Sequence, residues 1–281
     1  MKKSGVSLFI LSVFFLASCQ KEIDWGLGGN ALADKLLVKI SSKTGSDSTL
    51  ISYTYNASKQ LIGENTTGVS GTTSVDNDLK IYRNSAGIIQ KTVQVASVLT
   101  SNGIDSIVTR FNYNTTLLRH TSSVFAVTVM GTNVVDSVSY VYDAAGKITS
   151  DEHFLKVSIL PPTLALKNQY TYSADGLNVT GSQQSAITTL GGPLTPQASQ
   201  TYTYDGKKNP LIVKKEAILL LRTGLFNAQN SLKTVVTNTS DPTAGFTMDY
   251  VYRYNAAGKP DSSYGTRTPG GALTATKYFY Q

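Results

Sequence analysis

Tyr140-Val141-Tyr142-Asp143-Ala144-Ala145-Gly146-Lys147-Ile148-Thr149 reads as a strand, a tight turn and the start of a returning strand. Tyr140 and Tyr142 stand two apart, so on an extended chain they share one face while Val141 takes the other. Asp143 can bond its own backbone and Gly146 accepts positive φ without steric cost, which is turn chemistry. The unit recurs at Tyr53-Thr54-Tyr55-Asn56, Phe111-Asn112-Tyr113-Asn114, Tyr170-Thr171-Tyr172-Ser173, Tyr202-Thr203-Tyr204-Asp205 and Tyr252-Arg253-Tyr254-Asn255. A weaker copy, Ile81-Tyr82-Arg83-Asn84, keeps its turn through Gly87, and Tyr278-Phe279-Tyr280 is a last aromatic run.

Counted between the first residues of these pairs, the step is about 30 residues, with one long step of about 50 after Tyr202; a fixed period of this size marks a repeated supersecondary unit. Two strands of about 8 residues and their turns fill one unit. The predicted fold is therefore all-β: an antiparallel up-and-down meander of about 14–16 strands, strongly curled or barrel-like. The turns after each aromatic pair are alike and the connections between units are not. The sheet should thus have one uniform rim and one variable rim, the latter carrying the longer loops. Asn65 to Asp78, rich in Gly, Ser, Thr and Asn, reads as such a loop. Pro161-Pro162, Gly191-Gly192-Pro193 and Pro269-Gly270-Gly271 should be loops or edges, since proline cannot donate to a central ladder. The long step holds an apolar run broken by Lys214-Lys215-Glu216, expected to form one short helical insert near 211–223, with strand pairing as its rival.

On many strands the residue between the two aromatics is Thr, Asn or Arg, as at Thr54, Asn112, Thr171, Thr203 and Arg253. A transmembrane barrel has its apolar face outward. Here one face suits water, and the tyrosine-bearing face must be buried by curling the sheet.

Ahead of the repeats, Lys2 and Lys3 precede the short apolar run Val6 to Phe15, the layout of an export signal and too short for a comfortable span. Leu16-Ala17-Ser18-Cys19 resembles the lipobox of bacterial lipoproteins. That resemblance implies cleavage before Cys19 and its acylation. Three segments follow: a lipoprotein signal peptide at 1–18, a flexible tether at 19–34 containing Gly26-Leu27-Gly28-Gly29-Asn30, and a single repeat-built β domain at 35–281. Gln20-Lys21-Glu22 resembles the surface-export signal of Bacteroidetes lipoproteins, which implies the cell surface in preference to the periplasmic face. Cys19 is the single cysteine, so no intrachain disulfide can form.

The Tyr-x-Tyr-Asp/Asn-x-x-Gly core resembles the YD repeats of the Rhs family, which wind into a cocoon around a toxin; this chain is too short for that role. A nearer resemblance is to Bacteroidetes lipoproteins of unknown function with a porin-like fold, carried by the repeats and by Tyr202-Thr203-Tyr204-Asp205-Gly206-Lys207-Lys208-Asn209-Pro210 with the apolar insert after it. It implies the fold and transfers no active residues.

Chemistry is sparse. His120 and His153 are the two histidines, and Asp151-Glu152-His153 places Asp151 and His153 on one strand face and Glu152 on the other. A metal needs three or four protein ligands, so a solvated strand is the default there. No Walker loop or Gly-x-Ser-x-Gly elbow occurs. The sequence thus names no catalytic, cofactor-binding or metal residue, and Cys19 is its one site. A net charge of +7 with Lys207-Lys208 and Lys214-Lys215 is modest, and the tyrosines lie at core spacing, which argues against nucleic acid. Asp47-Ser48-Thr49, Asp105-Ser106-Ile107 and Asp136-Ser137-Val138 resemble a Bacteroidetes O-glycosylation motif, with hairpin chemistry as the rival reading.

Three functions remain. The first is a non-catalytic outer-membrane lipoprotein that binds or scaffolds a glycan or an envelope protein, touching the membrane through its lipid only. The second is a periplasmic carrier of an apolar ligand inside the curled sheet. The third is a hydrolase whose carboxylates meet only in the fold.

Overall fold

The computed structural model describes residues 35–129, 131–189, 191–210, 227–239 and 241–281. The segments expected to be a signal peptide and a tether, Cys19 among them, and the insert expected near 211–223 lie outside the described residues.

Among the described residues sixteen strands follow in order. The first half is β1 (Leu37–Thr44), β2 (Asp47–Tyr55), β3 (Leu61–Ser70), β4 (Thr73–Arg83), β5 (Ile89–Ala96), β6 (Ile107–Asn114), β7 (Arg119–Val129) and β8 (Thr132–Tyr142). The second half is β9 (Ile148–Val157), β10 (Thr163–Tyr172), β11 (Val179–Ile187), β12 (Leu194–Lys208), β13 (Gln229–Asn238), β14 (Phe246–Tyr254), β15 (Pro260–Thr268) and β16 (Leu273–Tyr280). Each strand pairs antiparallel with the next, and β1 pairs with β16, so the meander closes into a barrel. Closure removes the sheet's edges. A four-residue helix, α1 (Ser97–Thr100), and a 3-10 turn at Pro242–Ala244 are set in variable-rim connections.

The aromatic pairs point inward. Tyr53, Phe111 and Tyr140 are buried, and they join Leu37, Ile40, Leu61, Leu79, Ile81, Ile89, Val138 and Ile148 in one core cluster inside the barrel. Between them Thr54, Asn112, Val141 and Arg253 are exposed on the outer wall. That wall also carries exposed charges along its strands, among them Lys80 on β4, Arg110 on β6 and Lys277 on β16. Its polarity is the reverse of a transmembrane barrel, which shows lipid an apolar band about 25 Å tall.

The second residue of each pair sits at a defect in the ladder. Register shifts fall between Thr54 and Tyr55, Tyr82 and Arg83, Asn112 and Tyr113, Val141 and Tyr142, Thr171 and Tyr172, and Arg253 and Tyr254. A bulge interrupts pairing, and a carbonyl beside it needs another donor. The next unit supplies that donor. Tyr55 donates to the Leu37 carbonyl at 2.8 Å, Tyr142 to His120 at 2.6 Å, Tyr172 to Ile148 at 2.8 Å and Tyr280 to Pro260 at 2.7 Å, and Tyr204 donates to Val179. In the degenerate copy the bond survives with another donor, Arg83 Nε reaching the Leu61 carbonyl at 3.2 Å, and in the next unit, which keeps Tyr113, the His120 ring lies 2.9 Å from the Ile89 carbonyl. A belt of bonds, most of them from one hairpin to a carbonyl of the preceding one, thus runs along the uniform rim, with Tyr254 departing from it by donating to the Asp205 carboxylate. It is the physical reason for the repeat. Cations at or beside the turns stack on its rings, with Arg119 over the Tyr142 ring at 4.4 Å, Lys147 over Tyr172 at 5.6 Å and Lys259 over Tyr280 at 5.2 Å.

Two expectations are corrected. Asn65 to Asp78 is no loop: it is the end of β3 and the start of β4, joined through Gly71 at φ 60°. Both faces there are polar, so composition mimics a loop while neighbouring strands satisfy the backbone. The variable rim is also not uniformly long-looped, because β1–β2 and β3–β4 meet in two-residue turns.

Candidate functional site

Inside the wall of β8, β9 and β10 lies a polar network that the sequence shows only in part. Alternation turns Asp136 on β8 and Asp151 and His153 on β9 inward, and the register sets Val138 against His153 and Tyr140 against Asp151. His153 therefore falls between the two carboxylates. Its Nδ1 lies 2.8 Å from Asp136 Oδ2 and its Nε2 lies 3.0 Å from Asp151 Oδ1. Asn168 Nδ2 donates to Asp151 Oδ1 at 2.8 Å, and Tyr170 donates to Asp151 Oδ2 at 2.5 Å. Burial works to lower the His153 pKa, but the bonds and charges of Asp136 and Asp151 outweigh it and raise the value to about 9. The ring is thus an imidazolium at neutral pH, donating from both nitrogens. The expectation of a solvated strand at Asp151-Glu152-His153 is overturned. Only Glu152 faces outward, where Lys167 meets it at 2.8 Å.

The same network bears on hydrolysis. A glycosidase needs two carboxylates about 5–10 Å apart with the sugar between them. Here the space between Asp136 and Asp151 is filled by His153. Asp151 is 2% exposed and accepts from His153, Asn168 and Tyr170. This arrangement locks strands together and is non-catalytic. Among the described residues no group of His, Cys, Asp and Glu is placed to hold a metal. His120 is buried against the Phe111 and Tyr113 rings.

A different feature lies on the outside. A depression of ≈ 480 Å³ spans β9 to β12. Its rungs are set by register: Gln169 on β10 opposes Gln183 on β11, which opposes Ser199 on β12, and Thr171, Gly181 and Thr201 form the next rung. Tyr170, in the row between, points inward, so these two rows face outward. Gly181 leaves the middle of the dent open. A Cβ there would meet nothing nearer than the Gln200 carbonyl at 3.6 Å and Thr171 Cβ at 3.8 Å, which are ordinary contacts. The lining is hydroxyl, amide and bare backbone, with no charged side chain. Nothing in the sequence points to it, because four strands contribute and the decisive residue is an absent side chain.

The remaining expected sites are dispersed. Cys19 and Lys214-Lys215 lie outside the described residues, and Lys207 stands over the Tyr254 ring at 6.0 Å. Asp47 accepts from the Gly71 backbone at 2.8 Å, in keeping with hairpin chemistry, whereas Asp136-Ser137-Val138 is mid-strand with Asp136 in the buried network, so hairpin chemistry fails there.

No protein-family model and no curated protein matches the chain. Among solved structures, a porin-like protein from Bacteroides uniformis aligns over 87% of this chain and 98% of its own, with 13% identity and a TM-score of 0.55. The fold is porin-like. A porin-like protein from Bacteroides vulgatus aligns over 88% of this chain and 99% of its own at 10% identity, with a TM-score of 0.42. The TcdB2-TccC3 assembly aligns over 80% of this chain and 12% of its own at 13% identity, with a TM-score of 0.32. Those two overlaps are too loose to carry an argument. This porin-like barrel carries a buried tyrosine belt and charged side chains on its outer wall.

Proposed function

We propose that this porin-like barrel is a non-catalytic binding module of the bacterial envelope, held to the outer membrane on the cell surface by a lipid on Cys19. Its ligand is a neutral glycan, bound in the outer depression across β9 to β12. The observation that carries this reading is the groove itself: ≈ 480 Å³ with an uncharged wall that offers Gln169, Gln183, Thr171, Ser199 and Thr201 around the open backbone of Gly181. Hydroxyl and amide groups in a preformed concavity suit a polyhydroxylated chain, which exchanges bonds to water for bonds of the same kind. The rival carrier of an apolar ligand is less well served, since apolar side chains inside the barrel pack on one another in a core cluster.

The test uses Gly181→Val, whose added methyls occupy the dent at a position with room for a Cβ. Saturation-transfer NMR against a panel of neutral oligosaccharides should find a ligand for the parent chain, and Gly181→Val should weaken it by at least about tenfold, or ~1.4 kcal/mol. The same melting temperature in both chains would show the barrel intact. A panel without a binder, or equal binding by Gly181→Val, would remove the groove as the site.

A further inference from the structure

The outer wall changes character where the barrel closes. On β14, β15, β16 and β1 the outward positions bring together four exposed cations, Arg253, Lys277, Lys39 and Lys43. Register fixes their spacing: Arg253 opposes Ser262, Ser262 opposes Lys277, and Lys277 opposes Ser41 between Lys39 and Lys43 on β1. With strands about 4.8 Å apart, the four cations span a facet about 15–20 Å wide. Elsewhere on the wall Lys80 meets Asp78, Lys167 meets Glu152 and Lys233 meets Asp249, while Lys91 opposes Arg110 and stands over the Tyr82 ring. Two carboxylates border the facet and both have partners: Asp249 meets Lys233 at 3.9 Å, and Asp261 accepts from Ser262 at 3.0 Å.

The same four strands also expose apolar side chains. Val251 is 67% exposed, Leu273 53%, Phe279 43% and Tyr264 38%. Val251 opposes Tyr264 and Tyr264 opposes Ala275, with Leu273 two residues along the same face, so these are contiguous, and Phe279 lies beyond Lys277. Lys39 stands over the Phe279 ring at 5.5 Å and Arg253 over the Tyr264 ring at 5.8 Å, which interleaves the two classes. A contiguous exposed apolar patch in a soluble wall calls for a partner.

We infer that this seam facet docks on an anionic phospholipid surface, its cations on the phosphates and its apolar tips at the acyl boundary. Cations with aromatic and aliphatic side chains between them are the composition of an interfacial membrane contact. A soluble acidic glycan would use the cations but has no use for Val251 and Leu273. Leu36 and Gln281 exchange backbone bonds at 2.8 and 2.9 Å, which completes the β1–β16 ladder beside this facet. The inference shares the envelope setting with the proposed function and does not rest on the glycan groove.

The experiment takes the chain from Gln20 onward, which keeps every described residue and omits both the apolar leader and the acylation site. Co-sedimentation is measured with vesicles of phosphatidylcholine alone and of phosphatidylcholine with phosphatidylglycerol. Binding is expected to the anionic vesicles only, to weaken with salt, and to fall by about fivefold for each cation removed in a Lys39→Gln, Lys43→Gln, Arg253→Gln, Lys277→Gln series. Val251→Ser with Phe279→Ser should weaken it further at high salt. As a measurement that needs no loss of function, Phe279→Trp in a Trp25→Phe background places a single indole on the facet, and brominated acyl chains should quench its fluorescence. Binding unchanged in the four-cation variant, or an indole that stays unquenched on bound vesicles, would overturn the inference. So would equal binding to soluble dextran sulfate that ignores Val251→Ser and Phe279→Ser, which would reassign the facet to acidic glycans.

Discussion

At the scale of residues, His153 couples the fold to pH. Its pKa is about 9 in the barrel against an ordinary value of 6.5. A raised folded value means that the protonated ring stabilises the folded state fully below pH 6.5, and that this contribution is lost as pH rises through 9. A shift of this size corresponds to a few kcal/mol, on the order of 3, if the unfolded ring is ordinary. The melting temperature should therefore fall between pH 7 and pH 10, and His153→Gln should remove much of that slope. At pH 7 the substitution leaves Asp136 and Asp151 buried without their shared cation and should cost about 3–5 kcal/mol. Thermal melts of both chains across this range check the point; parallel pH dependences would mean the network does not hold a proton. Tyr172 gives a milder case. Burial raises its pKa to about 12, so it remains a neutral donor to the Ile148 carbonyl.

At the scale of elements, the hairpin and its bulge are the unit that repeats. Tyr172→Phe keeps the ring and strands the Ile148 carbonyl, at about 1–2 kcal/mol, whereas the outward Thr171→Ala should cost less than about 0.5 kcal/mol. Urea midpoints of the two chains would separate a belt that holds the rim from rings that merely fill space. The sequence carried this element well, since Tyr-x-Tyr at a period near 30 residues fixes strand, face and turn together. What it hid has physical causes. Near the variable rim Thr66 and Asn77 face inward while Thr67 and Asp78 face outward, so the alternation that marks a strand vanishes and Asn65 to Asp78 looks like a loop. The degenerate copy at Ile81 hid a substitution of donor by Arg83, and in the next unit His120 takes that part although Tyr113 is present. Asp151 and His153 were legible as neighbours on one face. Asp136 was not, because only the β8–β9 register brings it within 2.8 Å of the ring. The groove around Gly181 lies at the far end of this scale, built by four strands from residues that are individually bland.

For the whole molecule, closure is the decisive contact. Fifteen of the sixteen strand pairs join sequence neighbours, while β1 and β16 come from opposite ends, with Ser42 and Thr276 bonded across 234 residues at 3.0 Å. Loop closure grows only with the logarithm of length, so this pairing costs roughly 3–4 kcal/mol more than an ordinary hairpin. One ladder from Leu37–Tyr280 to Thr44–Thr274 is enough to offset it. If pairing rather than chain order is what closes the barrel, the position of the break should not matter. A circular permutant that joins Gln281 to Lys35 by a short Gly-Ser linker and opens the exposed turn between Ala256 and Ala257 should fold to the same circular dichroism spectrum. It should melt within a few degrees of the parent, a stability change below about 1 kcal/mol. Deleting 273–281 should behave oppositely: β1 and β15 become open edges, and the product should aggregate rather than form a smaller barrel. A soluble, cooperatively melting deletion would show that the remaining strands can re-pair around the gap, and that the seam is dispensable to the fold.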